Sequence, residues 1–108
     1  MSLRITPQFL HVMLSLVDGP RHGYGIMLEI SRRTDEAMHL GPSSLYYALD
    51  RLEGGSLIEE VDAPEADEGT DERRRYYRLT VEGRKRLREE TRALAGIVNW
   101  ARARGVLR

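Results

Sequence analysis

Gly19-Pro20, Gly41-Pro42 and Gly54-Gly55 punctuate the first half of this chain and divide it into three short segments. Glycine frees the backbone and proline removes a donor N–H, so no helix is expected to run across these junctions. In the first segment Thr6 precedes Pro7, a capping residue before the favoured first helical residue. Phe9, Val12, Met13, Leu16 and Val17 then recur at helical spacing, and Leu10 and Leu14 widen the apolar arc. Such a helix needs cover on two sides, one of which a partner subunit would supply. A second helical pattern runs from about Gly23 to Arg33, with Ile26, Met27 and Ile30 inward. Pro42 opens a third, preceded by Leu40, which with Leu45 fits a hydrophobic staple. At about 100° per residue, Leu45, Ala48, Leu49 and Leu52 share one face. Ser43, Tyr47, Asp50 and Arg51 share the other, with Tyr46 on the flank, and Gly54 and Gly55 end the helix.

The second half changes period. Leu57, Ile58 and Val61 predict a strand of about six residues, and 63–72, with Pro64, Gly69 and five acids, has loop composition. Arg73 to Leu79 reads as the returning strand of a two-stranded hairpin. Tyr77 and Leu79 then take one face and Tyr76 and Arg78 the other, while Arg73 and Arg75 are parted from Arg74. Thr80 is the expected cap of a last helix in which Leu87, Thr91, Leu94, Val98 and Ala101 form a coiled-coil seam. Gly105 before Val106 predicts a Schellman stop. The fold expected is mainly α with a small β hairpin (α+β). A winged helix-turn-helix at 1–79 is followed by a dimerisation helix at 80–108.

Composition narrows the chemistry. A chain of 108 residues, 41% hydrophobic and 31% charged, is one soluble domain with a thin core that self-association would help. Seventeen basic and seventeen acidic side chains cancel. Their distribution is polar, however: residues 1–72 hold five basic and fourteen acidic side chains, and residues 73–108 hold twelve and three. A basic surface is therefore compatible with zero net charge. With no cysteine there is neither a disulfide nor a thiolate metal site. The uncharged run Ile5–Val17 is shorter than the roughly 20 residues of a membrane span and lacks a signal-cleavage pattern, so a cytoplasmic protein without membrane contact is expected. His11, His22 and His39 show no ligand spacing, Gly23-Tyr24-Gly25 lacks the third glycine of a nucleotide fingerprint, and Ser43 and Ser44 lack a nucleophile elbow. No catalytic residue, metal or cofactor is expected.

HGYGI at 22–26, LYYALDRLE at 45–53, LI at 57–58, and RRRYYRLT followed by EG at 73–83 together resemble the PadR-like transcriptional regulators, in a short form with a single C-terminal helix. The resemblance spans nearly the whole chain. It implies a homodimeric winged-helix repressor bound to a pseudo-palindromic operator in double-stranded DNA. On it, Ser43, Ser44, Tyr46 and Tyr47 map onto the recognition-helix contact region and Arg73, Arg74 and Arg75 onto the basic end of the wing. Two departures stand out: Ser56 occupies a position the family usually gives to glycine, and the wing tip carries Glu65, Asp67, Glu68, Asp71 and Glu72. In some drug-sensing relatives a tryptophan on the last helix and its symmetry mate hold a planar aromatic effector. Trp100, with Gly96 and Ile97 on the preceding turn, fits that role here.

The residues by themselves leave alternatives open. Ser43 and Ser44 suit phosphate contact or simple capping, Tyr46 suits contact or packing on the second helix, and Arg51 suits a base edge or an ion pair with Asp50 or neighbouring acids. The arginine run suits a wing or cross-strand neutralisation. Phe9, Leu87, Leu94, Val98 and Ala101 are the expected dimer contacts, and Trp100 either fills that interface or binds an effector. The function expected is a sequence-specific DNA-binding regulator, a repressor released by a ligand. The rival is a winged-helix module that binds proteins and has no operator of its own.

Overall fold

The computed structural model describes residues 2–64 and 74–108. Seven elements follow in order: α1 (Pro7–Ser15), β1 (Arg21–His22), α2 (Gly23–Arg33), α3 (Pro42–Gly54), β2 (Ile58–Val61), β3 (Tyr76–Leu79) and α4 (Val81–Ala103). Thr6 Oγ1 accepts the Phe9 N–H at 3.2 Å and starts α1, as its capping chemistry requires. Helix α1 touches α2, α3 and α4 and supplies Val12, Met13 and Leu16 to the core. Around it close Ile26 and Ile30 of α2, Leu45, Ala48, Leu49 and Leu52 of α3, Ile58 of β2, Tyr77 and Leu79 of β3, and Leu87 of α4. The inner face expected for α3 is thus the buried one, and Leu40 and Leu45 of the staple are both buried. Helix α4 ends as anticipated: Gly105, at φ +74°, donates to Arg102 O at 3.1 Å, and Val106 donates to Ala101 O at 3.0 Å.

The sheet departs from the expected hairpin. It has three antiparallel strands in the order β1-β3-β2, with Arg21 opposite Tyr77 and His22 opposite Tyr76 on one side and Ile58 opposite Leu79 on the other. β1 has only two residues, too few to show a period. Both longer strands are also shorter than predicted, four residues each. Tyr76 lies opposite in facing to Tyr77 but is as well buried, because the His22 ring meets it edge-on at 5.3 Å between centroids. The acidic wing-tip residues and Arg73 lie outside the described residues.

Two polar arrangements tie the elements together. Glu29 of α2 is buried and receives Arg32 Nη2 at 2.8 Å and Arg33 Nε, while Arg21 Nη2 of β1 lies 3.6 Å away. Arg21 Nε also donates to Ser15 O at 2.7 Å, which joins the end of α1 to β1. The second arrangement is the α3–β2–α4 junction. Leu57 N–H donates to Leu52 O at 3.0 Å, Thr80 N–H donates to Leu57 O at 3.1 Å, and Thr80 Oγ1 donates to Ser56 O at 2.7 Å and accepts the Gly83 N–H at 2.9 Å. A Cβ at Gly83 would stand 1.9 Å from Leu57 O, so only glycine lets α4 lie this close to the chain entering β2. Helix α3 itself ends in a Gly55 cap at φ −87°, and the left-handed residue is Ser56, at φ +62°. The departure from glycine noted at Ser56 therefore falls on a residue whose backbone conformation favours glycine.

Two outcomes test this architecture. Gly83→Ala should destabilise the fold by about 2–3 kcal/mol or more, because the obstructing atom is backbone and the helix must shift to clear it. Thermal unfolding of the variant reads this directly. The second concerns acid. Hydrogen bonds from Arg33 and then Arg32 hold the Glu29 carboxyl below its ordinary value of 4.5, against the opposing effect of burial. A folded-state value below the unfolded one gives stability that is present above pH 4.5 and is lost as pH falls through the folded value. Glu29→Gln should remove that part of the acid sensitivity and cost only about 1–2 kcal/mol at neutral pH, since Arg32 and Arg33 are solvent-exposed. Urea titrations at pH 7 and in acid check both statements.

Candidate nucleic-acid interface

Helix α3 presents one face to the core and the opposite one to solvent. Ser43, Ser44, Tyr46, Tyr47, Asp50 and Arg51 are all exposed. The N-cap is Gly41, without a side-chain capping bond, so neither serine hydroxyl caps this helix. Tyr47 is 61% exposed and rests its ring on Phe9, 6.1 Å between centroids, which holds the side chain upright on the helix. Tyr46 is 59% exposed and does not pack in as a half-buried residue; only its hydroxyl end approaches α2, near Gly23. Arg51 makes no hydrogen bond or ion pair among the described residues, and the pairing with Asp50 does not form. A cation on an open helix face beside two tyrosines and two small hydroxyls can meet phosphate oxygens or base edges.

The wing is organised differently from the expected alternation. Arg74 and Arg75 precede β3 rather than belonging to it, and both line one cleft of about 190 Å³ with His22, Gly23, Tyr24, Tyr46 and Tyr77. Arg75 donates through Nε and Nη2 to the two Glu60 oxygens at 3.1 and 3.0 Å, and Arg78 Nε donates to Glu59 at 2.8 Å. The Glu60 carboxylate holds the Arg75 guanidinium above its ordinary value. Burial, foremost, pushes the Tyr77 hydroxyl up. Pairs between such exposed groups contribute little to stability.

Helix α4 carries the remaining expected residues. Phe9 and Leu87, expected at a dimer interface, are instead buried in the core of the single chain at 5% and 7% exposed, so they have almost no surface left to offer. Leu94, Ile97, Val98 and Trp100 are exposed, and Ala101 is half-buried. Among the described residues nothing lies within 4 Å of a Cβ built at Gly96, so none of them explains that glycine by its bulk. The Arg104 guanidinium sits 5.0 Å from the Trp100 ring centroid.

Two residues beside α3 escape a reading by periodicity. The pattern puts His22 in a turn; it forms β1 and caps α2, its Nδ1 accepting the Gly25 N–H at 3.0 Å. Tyr24, 57% exposed, lies parallel to the His22 ring at 6.5 Å. The available signal is a histidine three residues before the second glycine of a helical start. Among the described residues, no group of three or more His, Cys, Asp or Glu could hold a metal, and no helix is long and apolar enough to cross a membrane.

Comparison with known proteins agrees with this geometry. Residues 12–89 match the transcriptional regulator PadR-like family. A 37.1 kDa transposon protein of Streptomyces fradiae is 39% identical over 84 residues, 78% of this chain, which spans only 22% of that protein's length. A transcriptional regulator of Mycobacterium tuberculosis is 35% identical over 79% of this chain and 73% of its own. Among solved structures, a transcriptional regulator from Clostridium thermocellum superposes with a TM-score of 0.66 at 31% identity, covering 84% of this chain and 85% of that one. Bacillus subtilis PadR in complex with operator DNA shares the fold with a TM-score of 0.67 at 20% identity, over 80% of this chain and 47% of that one. The helix order, the small sheet and the family match over residues 12–89 place the chain in the PadR-like family of transcriptional regulators.

Proposed function

We propose that this chain is a homodimeric DNA-binding repressor in which the exposed face of α3 reads the major groove of a pseudo-palindromic operator. The observation that carries the reading is the two-sidedness of α3: its apolar face is fully committed to the core, while Ser43, Ser44, Tyr46, Tyr47 and Arg51 stand open on the other side. Arg51 supplies the base or phosphate contact, the serines and tyrosines fix the helix on the backbone, and Arg73, Arg74 and Arg75 bring the wing to the flanking phosphates. For Arg75 this requires exchange of its Glu60 partner for phosphate. The paired arginines of the hairpin favour the rival, a protein-binding module; Arg51, without an ion pair among the described residues, favours DNA.

The dimer is assigned to α4. Leu94, Val98 and Ala101 with Ile97 and Trp100 leave an apolar stripe that a second copy would cover, and such burial would draw together two α3 helices at a fixed separation. Trp100 at 65% exposed and Ile97 at 64%, with open space at Gly96, suit a planar aromatic effector held between the two Trp100 rings. Such a ligand releases DNA by favouring one dimer geometry over the other. In analytical ultracentrifugation, Leu94→Glu should convert a micromolar dimer to monomer, because an unpaired carboxylate cannot be buried in that seam. A wild-type monomer at micromolar concentration refutes the assignment. Fluorescence titration with planar aromatics should quench Trp100 saturably in the dimer and weaken DNA binding in parallel. Quenching without that weakening leaves Trp100 as interface packing.

Gel-shift titrations over genomic fragments at stated salt test the DNA reading. Specific complexes at about 10⁻⁸ M or tighter support it, and no preference over random duplex favours the protein-binding rival. Tyr47→Ala should weaken specific binding more than non-specific binding. Arg51→Ala should cost about 1–3 kcal/mol and relax discrimination at one base position if its contact is a base edge.

A further inference from the structure

The segment leading into α1 lies beside the end of α3, and its exposure alternates: Ser2 and Arg4 are exposed, Leu3 and Ile5 half-buried. Leu3 and Ile5 pack against the core, and Leu3 lies on the open face of Gly55, where a built Cβ would stand 3.5 Å from Leu3 Cδ2. From the other side Arg86 of α4 donates through Nη2 to the Leu3 carbonyl at 2.5 Å and through Nε to Glu90 at 2.9 Å. The peptide that leads into Arg4 is thus held by packing and by a charge-assisted hydrogen bond. The Arg4 side chain makes no hydrogen bond or ion pair among the described residues, and neither does that of Arg51. Both line one cleft of about 440 Å³, together with Gln8, Tyr47 and the apolar Leu3 and Phe9.

This cleft occupies the other flank of α3 from the hairpin. Tyr46 shares its cleft with Arg74 and Arg75, whereas Tyr47, the next residue, shares this one with Arg4. A helix laid in the major groove is bordered by two phosphate backbones, and a wing on one flank serves only one of them. We infer that Arg4 is a DNA-contacting residue, which with Arg51 grips a backbone phosphate on the flank of α3 away from the hairpin, and that Arg86 positions it by holding the Leu3 carbonyl. The inference rests on the DNA-binding reading and adds to it a contact outside α3 and the hairpin. Arg4 and Arg51 also line a neighbouring cleft of about 550 Å³, but Asp50 lines that one and would repel a phosphate. The first cleft has no acid among its lining residues, and its Leu3, Pro7 and Phe9 suit the carbons of a deoxyribose while the two guanidiniums take the charge. That combination favours a nucleic-acid backbone over a free anion, which has no apolar part.

Anisotropy titrations of the full chain with a random duplex over a salt series, each well below the variant's thermal midpoint, test the contact. Arg4→Gln breaks no hydrogen bond within the fold, so the midpoint should not move. Binding should weaken about tenfold, and the salt slope should fall by about one unit, for each half-site occupied, with the ratio of specific to random binding unchanged. Arg92→Gln, the same loss of charge at an exposed position of α4, should leave the slope as it is. Arg86→Met keeps the apolar stem and loses both donors. It should weaken binding in the wild-type background and cost nothing further once Arg4 is replaced by Gln. An equal cost in both backgrounds makes Arg86 merely structural and overturns its positioning role. If Arg4→Gln folds and keeps the wild-type affinity and slope, the Arg4 contact is refuted while the DNA reading stands. If the wild type binds no duplex, the DNA reading fails and the contact with it. The last arm titrates inorganic phosphate against the Arg4 and Arg51 Nε–H resonances: saturation by free phosphate, with duplex binding unchanged in Arg4→Gln, assigns the cleft to a free anion and overturns the backbone contact.

Discussion

Helix α4 begins against the bare backbone of the chain that enters β2. At Gly83 a side chain would overlap the Leu57 carbonyl, and around that contact Thr80 both caps α4 and donates to Ser56 O. The last turn of α3, the first residues of β2 and the start of α4 are therefore one rigid joint. The direction in which α4 leaves the domain follows from this joint, and so does the placement of its uncovered stripe relative to α3. In the proposed dimer, it is this joint that would fix the distance between two α3 helices and give a ligand at Trp100 a lever on DNA.

The same economy appears at the other end of α3. Gly23 allows α2 to start against Leu45, the two-residue β1 pairs with β3, and His22 joins strand, helix cap and cleft in a single residue. Glu29, with three arginines around it, holds the far end of α2 and reaches, through Arg21, the end of α1. The exposed face of α3 is carried on a frame held at both ends. On that face Tyr47 leans on Phe9, and Arg51 has no hydrogen bond or ion pair among the described residues.

What the sequence makes legible here is periodic or chemically local. The four buried residues of α3, the Thr6 and Thr80 caps and the Gly105 stop are set by neighbours within one turn, and all appear where the pattern puts them. What it hides is tertiary. β1 is too short to alternate, Tyr76 is buried against His22, fifty-four positions away, and the buried Glu29 meets Arg21 of β1 as well as its own helix's arginines. The same holds for Phe9 and Leu87. Their spacing marks them as apolar but not whether their cover comes from the same chain or a second one, and the single chain covers both. The exposed residues of α3 are identifiable by subtraction from its core face. The cleft beside it is not, because its walls come from α2, α3 and the approach to β3.

The proposed function divides the molecule into two working surfaces: the face built by α3 and the residues before β3 meets DNA, while the outer half of α4 meets a second copy of the chain. Backbone and side-chain chemical-shift mapping with a short non-specific duplex at low salt tests this division before any operator is identified. Perturbations are expected at Ser43, Ser44, Tyr47, Arg51 and Arg75, with the Leu94, Val98 and Trp100 signals unmoved. Perturbations concentrated on Leu94, Val98 and Trp100, with α3 silent, would contradict it.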